Sequence, residues 1–476
     1  MSAAIPRLLP TAAIVVIAAT LTGCGNKSPI STEAAQSGQG RLTGGKDRLY
    51  VAEFSDFPDL RPAVRIRGWR ARGDWVVRRL RQTAARSQGK AIRLARSSGA
   101  VYRTEWIANV MVIAGEKELG SQVGGLPGVR RVWEEPFPLF ARNDFSPAPA
   151  PRDPTAALRQ ANVPAAWKEG ITGKGVTVGV VDTGVDAEHP ALLPGYRGYR
   201  GTGRPLEHDG NWFSPIRRSA AAPVDNADHG THMTGLVAGR PGKPGGAPIG
   251  VAPDAQWIAA AACTSSACPL SGVLPGLQFM LAPTDRYREG PNPDLRPEIV
   301  VNSWQRDSKD VALERGIEAL EAAGVLPVFA VGNEGPACGS ARTPGTDPNE
   351  VLSVGAVDSD GRIASFSGRG PAPGGLPDPD VTAPGEAVVS SVPPRGYASA
   401  DGTSPAAALT AGVAALAIQA NPSLKGNLDG LVTAMRAGTR RPPGSECGET
   451  AGGRRNNAYG YGEIDAKKVV AAARRR

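Results

Sequence analysis

The sequence predicts an α/β protein built on a doubly wound, mainly parallel β-sheet and preceded by a small α+β domain. In the larger part, short apolar runs such as "GVTVGVV", "EIVVNSW" and "VLPVFAV" lack polar alternation, which is typical of strands covered on both faces. Helical patterns separate these runs, and this alternation favours parallel strands joined by crossover helices. A Pro/Ala-rich stretch, "FSPAPAPRDP", marks the boundary with the smaller domain.

The first residues predict an export signal. Arg7 precedes the apolar run "AAIVVIAATL", which is too short to span a bilayer comfortably, and small residues follow it. The stretch "LTGC" looks like the lipobox of bacterial lipoproteins, a resemblance that implies cleavage before Cys24 and acylation of its thiol. An ordinary secretory signal that happens to contain a cysteine is the alternative. We therefore expect a signal peptide over residues 1–23 and a flexible tether over residues 24–46.

Between the tether and the Pro/Ala-rich boundary, the sequence predicts the small α+β domain over residues 47–140. Strand-like runs occur at "RLYVAEF", "EWIANVMVIAG" and "VRRVWEE", with a basic helix after the first run and a helical segment before the last. A linker is expected over residues 141–159, and the larger α/β domain over residues 160–476.

The positive charge of the chain is concentrated around that basic helix. The formal net charge is +9, but residues 61–103 contain thirteen Lys or Arg residues and one acid, so the rest of the chain has a net charge of −3. A nucleic-acid or membrane patch would fit the charge alone, whereas the helical spacing of apolar residues in "WVVRRLRQTAARSQGKAIRLA" favours a solvated helix face. Because only 5% of residues are aromatic, no base-stacking surface is indicated and no nucleic-acid partner is expected.

Four cysteines follow Cys24. In an exported protein they can form two disulfides, and four cysteines allow three pairings. The local spacing favours Cys263 with Cys268, which leaves Cys338 for Cys447. No CxxC pair is present to suggest a zinc site.

Candidate catalytic residues follow predicted strands or open helices at the carboxyl edge of the sheet, where α/β proteins place their functional groups. They are Asp182, His229, Asn333 and Ser404, each among small residues. Each also has an ordinary structural interpretation. Asp182 and Asn333 suit turns, Asp228 could cap the helix that His229 opens, and Ser404 suits a helix N-cap.

Two sharper alternatives are disfavoured by the residues themselves. The "DTG" at Asp182 is also the motif of aspartic proteases, but that chemistry needs two coupled carboxylates and no second DTG occurs. His229 and His232 form an HxxH pattern that suggests a metal, yet the glutamate of HExxH is missing and the chain has only four histidines. We therefore expect no catalytic metal. Four unrelated structural roles do not explain well why Asp, His, Asn and Ser occur in this order, each among small residues.

In this order, the blocks "VVDTGVDAEHP", "DHGTHMTGLVAG", "VGNEGP" and "GTSPAA" resemble the Asp, His, oxyanion-Asn and Ser blocks of the subtilisin-like serine peptidases, or subtilases. "CTSSACPLSGVL", "IASFSGRGP", "DVTAPG" and "NNAYGYGEIDAKKVV" further resemble the bacillopeptidase F-like branch, so the resemblance covers roughly residues 161–472. The stretch "SQGKAIRLARSSGAVYRTEWIANVMVIAGEKEL" resembles the inhibitory propeptide of the same family.

The resemblance implies a role for each residue. Ser404 would attack the scissile carbonyl, His229 would exchange the proton, and Asp182 would orient the imidazole. The Asn333 amide and the Ser404 backbone N–H would bind the oxyanion. No cofactor is required for this chemistry. Subtilases often hold structural calcium, but no acidic loop here is dense enough to name ligands.

Three positions depart from the family pattern, and one of them is Ala408, because subtilases usually have a proline four residues after the serine. Pro405 replaces the usual Met after the serine, and we expect it at the first helical position, where its missing N–H costs nothing. Gln305 replaces the usual Gly in the segment that pairs with substrate, which implies substrate-binding roles for Ser303, Trp304 and Gln305. The bulk of Gln305 would alter which peptides fit.

Together these features predict an exported, lipid-anchored serine endopeptidase that is made as a zymogen and acts on protein or peptide substrates. Its own propeptide would be an intramolecular inhibitor, and the lipid on Cys24 would hold the precursor to a membrane until cleavage within residues 141–159 released a periplasmic, surface or extracellular enzyme. The alternative is a catalytically inactive surface protein that binds peptides in the same groove.

Overall fold

The computed structural model describes residues 48–135, 145–216, 221–265, 267–305, 310–342, 344, 351–372, 375, 377–440, 444, 446–448 and 455–476. The predicted signal peptide, the tether and Cys24 therefore lie outside the described residues.

An N-terminal unit forms an antiparallel sheet with the strand order β2-β3-β1-β4. Apolar side chains of strands β1 and β3 are buried on both faces, because helices α2 and α3 cover one face and the larger unit covers the other. The elements are β1 (Arg48–Phe54), α1 (Trp69–Ser87), α2 (Gly89–Ser97), β2 (Val101–Glu105), β3 (Val110–Gly115), α3 (Lys117–Gly124) and β4 (Val129–Glu134).

The basic helix of the prediction is α1. It buries Val76, Val77 and Leu80, while Arg78 and Arg79 are exposed to solvent. This is the arrangement of a helix with one buried and one solvated face.

The larger unit is built on a nine-stranded sheet with the order β15-β16-β12-β11-β10-β9-β6-β8-β7. Every neighbouring pair is parallel except β15 with β16, which confirms the predicted doubly wound, mainly parallel sheet. The strands are β6 (Thr177–Asp182), β7 (Trp212–Phe213), β8 (Gln256–Ala261), β9 (Ile299–Asn302), β10 (Leu326–Ala330), β11 (Leu352–Val357), β12 (Val381–Pro384), β15 (Thr439–Arg440) and β16 (Glu463–Ile464).

Helices cover both faces of this sheet. On β6, Val178 and Val180 belong to one core cluster, whereas Val181 belongs to the cluster on the opposite face. One face is covered mainly by α6, α9, α10 and α11, and the other by α7 and α8. The helices are α4 (Ala156–Gln160), α5 (Val163–Trp167), α6 (His229–Ala238), α7 (Leu270–Leu281), α8 (Val311–Ala322), α9 (Thr403–Ala420), α10 (Leu428–Ala437) and α11 (Ala466–Ala473).

Helix α9 runs through the centre of the fold. Among the described helices, it alone is long and apolar enough to cross a membrane, but 89% of its 18 residues are buried inside the protein. Its apolar composition is therefore that of a core helix rather than of a membrane span.

A small three-stranded sheet changes the interpretation of the predicted linker. Strand β5 (Ser146–Ala148) pairs with β14 (Gly396–Ala400), which also pairs with β13 (Val388–Val392). Residues 156–159 belong to α4. Most of the stretch expected to be a linker is therefore attached to the larger unit.

The two units share one hydrophobic core. Val51 and Val110 of the N-terminal sheet lie in the same buried cluster as Leu274 of α7 and Leu320 of α8. Buried apolar side chains of both units thus pack together, and their removal from water stabilises the docked arrangement.

Arginines add polar bonds across this seam. Arg72 of α1 donates to the carbonyl oxygens of Glu321 and Ala322 at 2.9 and 2.6 Å. Arg315 of α8 donates to the Phe54 carbonyl oxygen at 2.8 Å. Because Arg72 meets the carbonyls that end α8, its charge also complements the helix dipole.

Two disulfides are present, and both follow the pairing that the spacing favours. Cys263 is bonded to Cys268 close to β8, and Cys338 is bonded to Cys447 across 109 residues of sequence.

Candidate active site

The C-terminal end of β6 brings Asp182 to the first residue of α6, His229. The Asp182 Oδ1 atom lies 2.7 Å from His229 Nδ1, and both side chains are almost completely buried. The Thr183 backbone N–H also donates to Asp182 Oδ1 at 2.7 Å. With the proton of a neutral imidazole on Nδ1, the Nε2 atom of His229 is left as a base.

Two glycines allow this close approach. A Cβ atom on Gly230 would lie 1.9 Å from the Gly184 carbonyl oxygen, and one on Gly184 would lie 1.9 Å from the Val224 carbonyl oxygen. Gly184 also has a φ of 116°, which disfavours other residues. The glycines of "DTG" and "DHG" are therefore needed for the close packing of the segment after β6 against the start of α6 and the loop before it.

The start of α6 is not capped as the sequence suggested. Asp228 occupies the N-cap position, but its side chain makes no capping hydrogen bond. Instead, the Asp225 carboxylate accepts the Thr231 backbone N–H at 2.7 Å. The left-handed backbone of Asp228, with a φ of 65°, accompanies this change of cap.

Ser404 lies in the first turn of α9, next to the segment that follows β9. Its Oγ donates to the Ser303 carbonyl oxygen at 3.2 Å, and Ser303 Oγ donates to the Ser404 carbonyl oxygen at the same distance. Ser404 is therefore held against the carboxyl edge of the sheet.

The helix begins two residues earlier than the sequence suggested. Gly402 is the N-cap residue, so Thr403 is the first helical residue and Pro405 the third. The expectations of Ser404 as N-cap and Pro405 at the first helical position are wrong, because the Thr403 N–H finds an acceptor in the Asn333 side chain at 2.9 Å. The N–H of a third helical residue also has no intrahelical acceptor, so the proline still costs no helical hydrogen bond.

Asn333 follows β10, and its amide has a fixed orientation. Its Oδ1 accepts two hydrogen bonds at 2.9 Å, from the N–H and the hydroxyl of Thr403. The Thr403 hydroxyl in turn accepts the Gly332 N–H at 3.2 Å. Because both donors meet Oδ1, the two N–H groups of Nδ2 remain the donors of this side chain. Sequence reasoning missed Thr403, although it directly precedes the candidate serine.

The predicted substrate-binding segment divides into different environments. The buried Trp304 indole donates to the Val181 carbonyl oxygen at 3.0 Å and packs edge-on against Phe329. Its side chain therefore belongs to the core, which leaves only its backbone for contact with a peptide.

Gln305 lies beside Asn333 and has a charged partner. Its Nε2 donates to Glu334, and a Cβ atom on Gly332 would lie 2.3 Å from Gln305 Oε1 and 2.6 Å from Glu334 Oε2. The two polar side chains thus pack directly over Gly332. Glu334 was also missed, since no local pattern links it to Gln305.

His232 lies one turn after His229 and has a structural environment. Its Nε2 donates to the Ala398 carbonyl oxygen at 3.1 Å, and burial lowers the pKa of His232 to about 3. Within the described ranges, no group of three or more His, Cys, Asp or Glu side chains could hold a metal ion. The HxxH pattern thus places a neutral histidine against β14.

The sheet, the Asp182–His229 pair and the serine at the start of a central helix define the class of protein, and this chain belongs to the subtilase family. The family's sequence model matches residues 173–462. This match confirms the resemblance that the Asp, His, Asn and Ser blocks indicated.

Individual relatives place the chain within the family. It is 33% identical over 421 residues to bacillopeptidase F of Bacillus subtilis (strain 168), covering 83% of this chain but only 28% of that relative. Serine protease AprX of the same strain is 30% identical over 328 residues, which are 63% of this chain and 67% of the relative. Subtilisin Savinase of Lederbergia lenta is 34% identical over 268 residues, 56% of this chain and 84% of the relative.

Proposed function

We propose that this protein is a serine endopeptidase that hydrolyses peptide bonds with Asp182, His229 and Ser404. The observation that carries the proposal is the buried 2.7 Å hydrogen bond between Asp182 and His229, because it selects the imidazole tautomer that a serine nucleophile needs. The orientation of the Asn333 amide, with Oδ1 occupied and Nδ2 left as donor, supports an oxyanion site beside Ser404.

In the proposed reaction, the Ser404 hydroxyl turns from the Ser303 carbonyl to His229 Nε2. As Ser404 Oγ bonds to the scissile carbonyl carbon, its proton passes to Nε2 and the carbonyl oxygen becomes an oxyanion. Nδ2 of Asn333 and the Ser404 N–H stabilise that oxyanion. Collapse breaks the C–N bond as His229 protonates the leaving amine, and water then releases the acyl group by the same steps. No step needs a cofactor.

We further propose that the N-terminal unit is an inhibitory propeptide. Its support is the hydrophobic core that β1 and β3 share with α7 and α8, together with the arginine bonds of Arg72 and Arg315. The stretch between the units ends at Phe145, whose ring lies 5.2 Å from that of His232 on the helix that begins with His229. Phe145 therefore lies close to the helix that carries the proposed catalytic His229.

The activating cleavage is proposed N-terminal to Ser146. Strand β5 is hydrogen-bonded to β14, and Thr155 caps α4 by accepting the Leu158 N–H. Backbone held in this way is a poor substrate, because a protease needs an extended, accessible strand. We therefore expect cleavage in the part of the predicted linker, residues 141–159, that precedes β5.

We also propose that the protein is exported and that Cys24 is lipidated. The two disulfides support folding in an oxidising compartment, and "LTGC" supports acylation of Cys24. The lipid would hold the precursor to a membrane and be lost with the propeptide when the enzyme matures. An inactive peptide-binding protein is the weaker alternative, since such a protein has no need of the paired Asp182 and His229.

Membrane fractionation of cells expressing wild type and Ser404→Ala tests this proposal. We expect wild type to yield a soluble product that begins before Ser146, and Ser404→Ala to stay full-length and membrane-bound. A soluble, processed Ser404→Ala protein would contradict self-activation. A mature wild-type enzyme in the membrane fraction would contradict release with the lipid-bearing fragment.

A further inference from the structure

Asp225 lies in the loop before α6 and has a carboxylate with every acceptor position in use. Its Oδ1 accepts the Thr183 hydroxyl at 2.6 Å and the Ala227 N–H at 3.1 Å. Its Oδ2 accepts the Thr231 hydroxyl at 2.6 Å and the Thr231 N–H at 2.7 Å. Four donors thus converge on one side chain, and the role proposed for the catalytic residues leaves it unused.

The partners of Asp225 flank both members of the Asp182–His229 pair. Thr183 directly follows Asp182, and Thr231 lies two residues after His229. The Thr183 hydroxyl also accepts the Gly230 N–H at 3.0 Å. The end of β6 and the start of α6 are therefore joined through Asp225 and two threonines, which we call the Asp225 clamp.

The chemistry of the clamp requires a carboxylate. Four donors need four lone-pair positions, which two carboxylate oxygens supply. An asparagine at this position would replace one carboxylate oxygen with an NH₂ group, which cannot accept hydrogen bonds. The two hydrogen bonds that this oxygen accepts would therefore be lost. Burial raises the pKa of Asp225, and the four hydrogen bonds oppose that rise because they favour the ionised form.

We propose that Asp225 is a positioning residue for the peptidase reaction: through Thr183 and Thr231 it holds Asp182 and His229 in register. The inference rests on the proposed function of these two residues. A misplacement of a catalytic hydrogen bond by less than 1 Å lowers turnover strongly while leaving substrate binding intact. The clamp therefore acts on kcat rather than on KM.

Other ionisable groups surround the two joined elements. Asp182 lies on β6, and His229 and His232 lie on α6; His232 is held neutral because burial lowers its pKa. Asp228 is an exposed acid in the same loop as Asp225 and makes no capping bond. Asp228 thus provides a matched control, because it carries the same charge beside the same helix without the clamp.

The test compares wild type, Asp225→Asn and Asp228→Asn by steady-state peptide hydrolysis. We expect Asp225→Asn to lower kcat by about 10- to 100-fold with KM changed less than about threefold. Asp228→Asn should retain kcat within about threefold.

A second readout does not depend on activity. In a one-dimensional proton spectrum, the Nδ1 proton shared by His229 and Asp182 should give a downfield resonance in wild type and Asp228→Asn, and this resonance should be lost in Asp225→Asn. An inert wild type that keeps the resonance, together with an Asp225→Asn variant that loses it, would contradict the peptidase function and leave the clamp supported. An active wild type whose Asp225→Asn variant keeps both kcat and the resonance would overturn the clamp.

Should Asp225→Asn fail to fold, Thr183→Val and Thr231→Val remove one hydroxyl donor each while preserving side-chain shape. Each should lower kcat by about 3- to 10-fold without a matching change in KM, and the double variant should lose less than the product of the two effects. Unchanged kcat in both single variants would overturn the proposal.

Discussion

The sharpest consequence of the site geometry concerns Asn333. Thr403 donates two hydrogen bonds to Asn333 Oδ1, so the proposed contribution to the oxyanion comes from Nδ2 alone. Asn333→Ala should lower kcat by roughly 10²–10³, or about 2.7–4 kcal/mol, the range measured for loss of one such donor in subtilisin, a member of the same family. KM should change little, because the oxyanion forms only in the transition state.

The Asn333→Asp variant distinguishes hydrogen-bond donation by Nδ2 from the role of Oδ1 as acceptor for Thr403. An aspartate keeps an acceptor for both Thr403 donors but places a carboxylate oxygen where Nδ2 would be, so it repels the oxyanion. Its kcat should fall at least as far as that of Asn333→Ala. The assay is hydrolysis of a chromogenic peptide by processed enzyme, normalised to the fraction labelled by a fluorophosphonate. If Asn333→Asp kept kcat within tenfold of wild type, the oxyanion assignment would be refuted.

Three further predictions follow from the same structure. Pro405→Met should change kcat by less than about tenfold, because the third residue of a helix has no intrahelical acceptor for its N–H; a hundredfold gain would show that the proline distorts the serine turn. Gln305→Gly should change which members of a peptide library are cut more than the rate on the best one, since it removes the partner of Glu334 over Gly332; an unchanged cleavage profile would contradict a groove role. Burial lowers the pKa of His232 to about 3, so between pH 6.5 and 3 the unfolded state binds a proton that the folded state does not, and stability falls as the pH drops. In the Ser404→Ala background, His232→Gln should therefore flatten the pH dependence of urea unfolding by up to about 1.4 kcal/mol per pH unit, whereas an equal slope would argue against a buried neutral His232.

The fold could be predicted from the sequence because its strands are covered on both faces. Runs such as "GVTVGVV" become β6, and the alternation with helices gives the parallel sheet. The strand within the predicted linker was harder to predict, because β5 is a strand only through its pairing with β14, about 250 residues later. The start of α9 was misplaced for the same reason, since the acceptor for the Thr403 N–H is the side chain of Asn333. Local patterns do not contain such contacts.

The site could be predicted where chemistry restricts the residue type. Asp182, His229 and Asn333 lie in short blocks rich in glycine, and the close contacts of Gly184 and Gly230 explain why. Asp225 and Thr403 gave no such signal, because an acid in a loop or a threonine at the start of a helix has many ordinary explanations. Their importance is visible only from the hydrogen bonds that they make across the fold.

The central claim is that Ser404 is an activated nucleophile, and labelling with a fluorophosphonate tests it most directly. The matched variants are Ser404→Ala and Ser359→Ala, the latter removing an exposed serine away from the site. The probe should label wild type and Ser359→Ala, and it should leave Ser404→Ala unlabelled. Equal labelling of Ser404→Ala, or no labelling of folded, processed wild type, would contradict the assignment of Ser404.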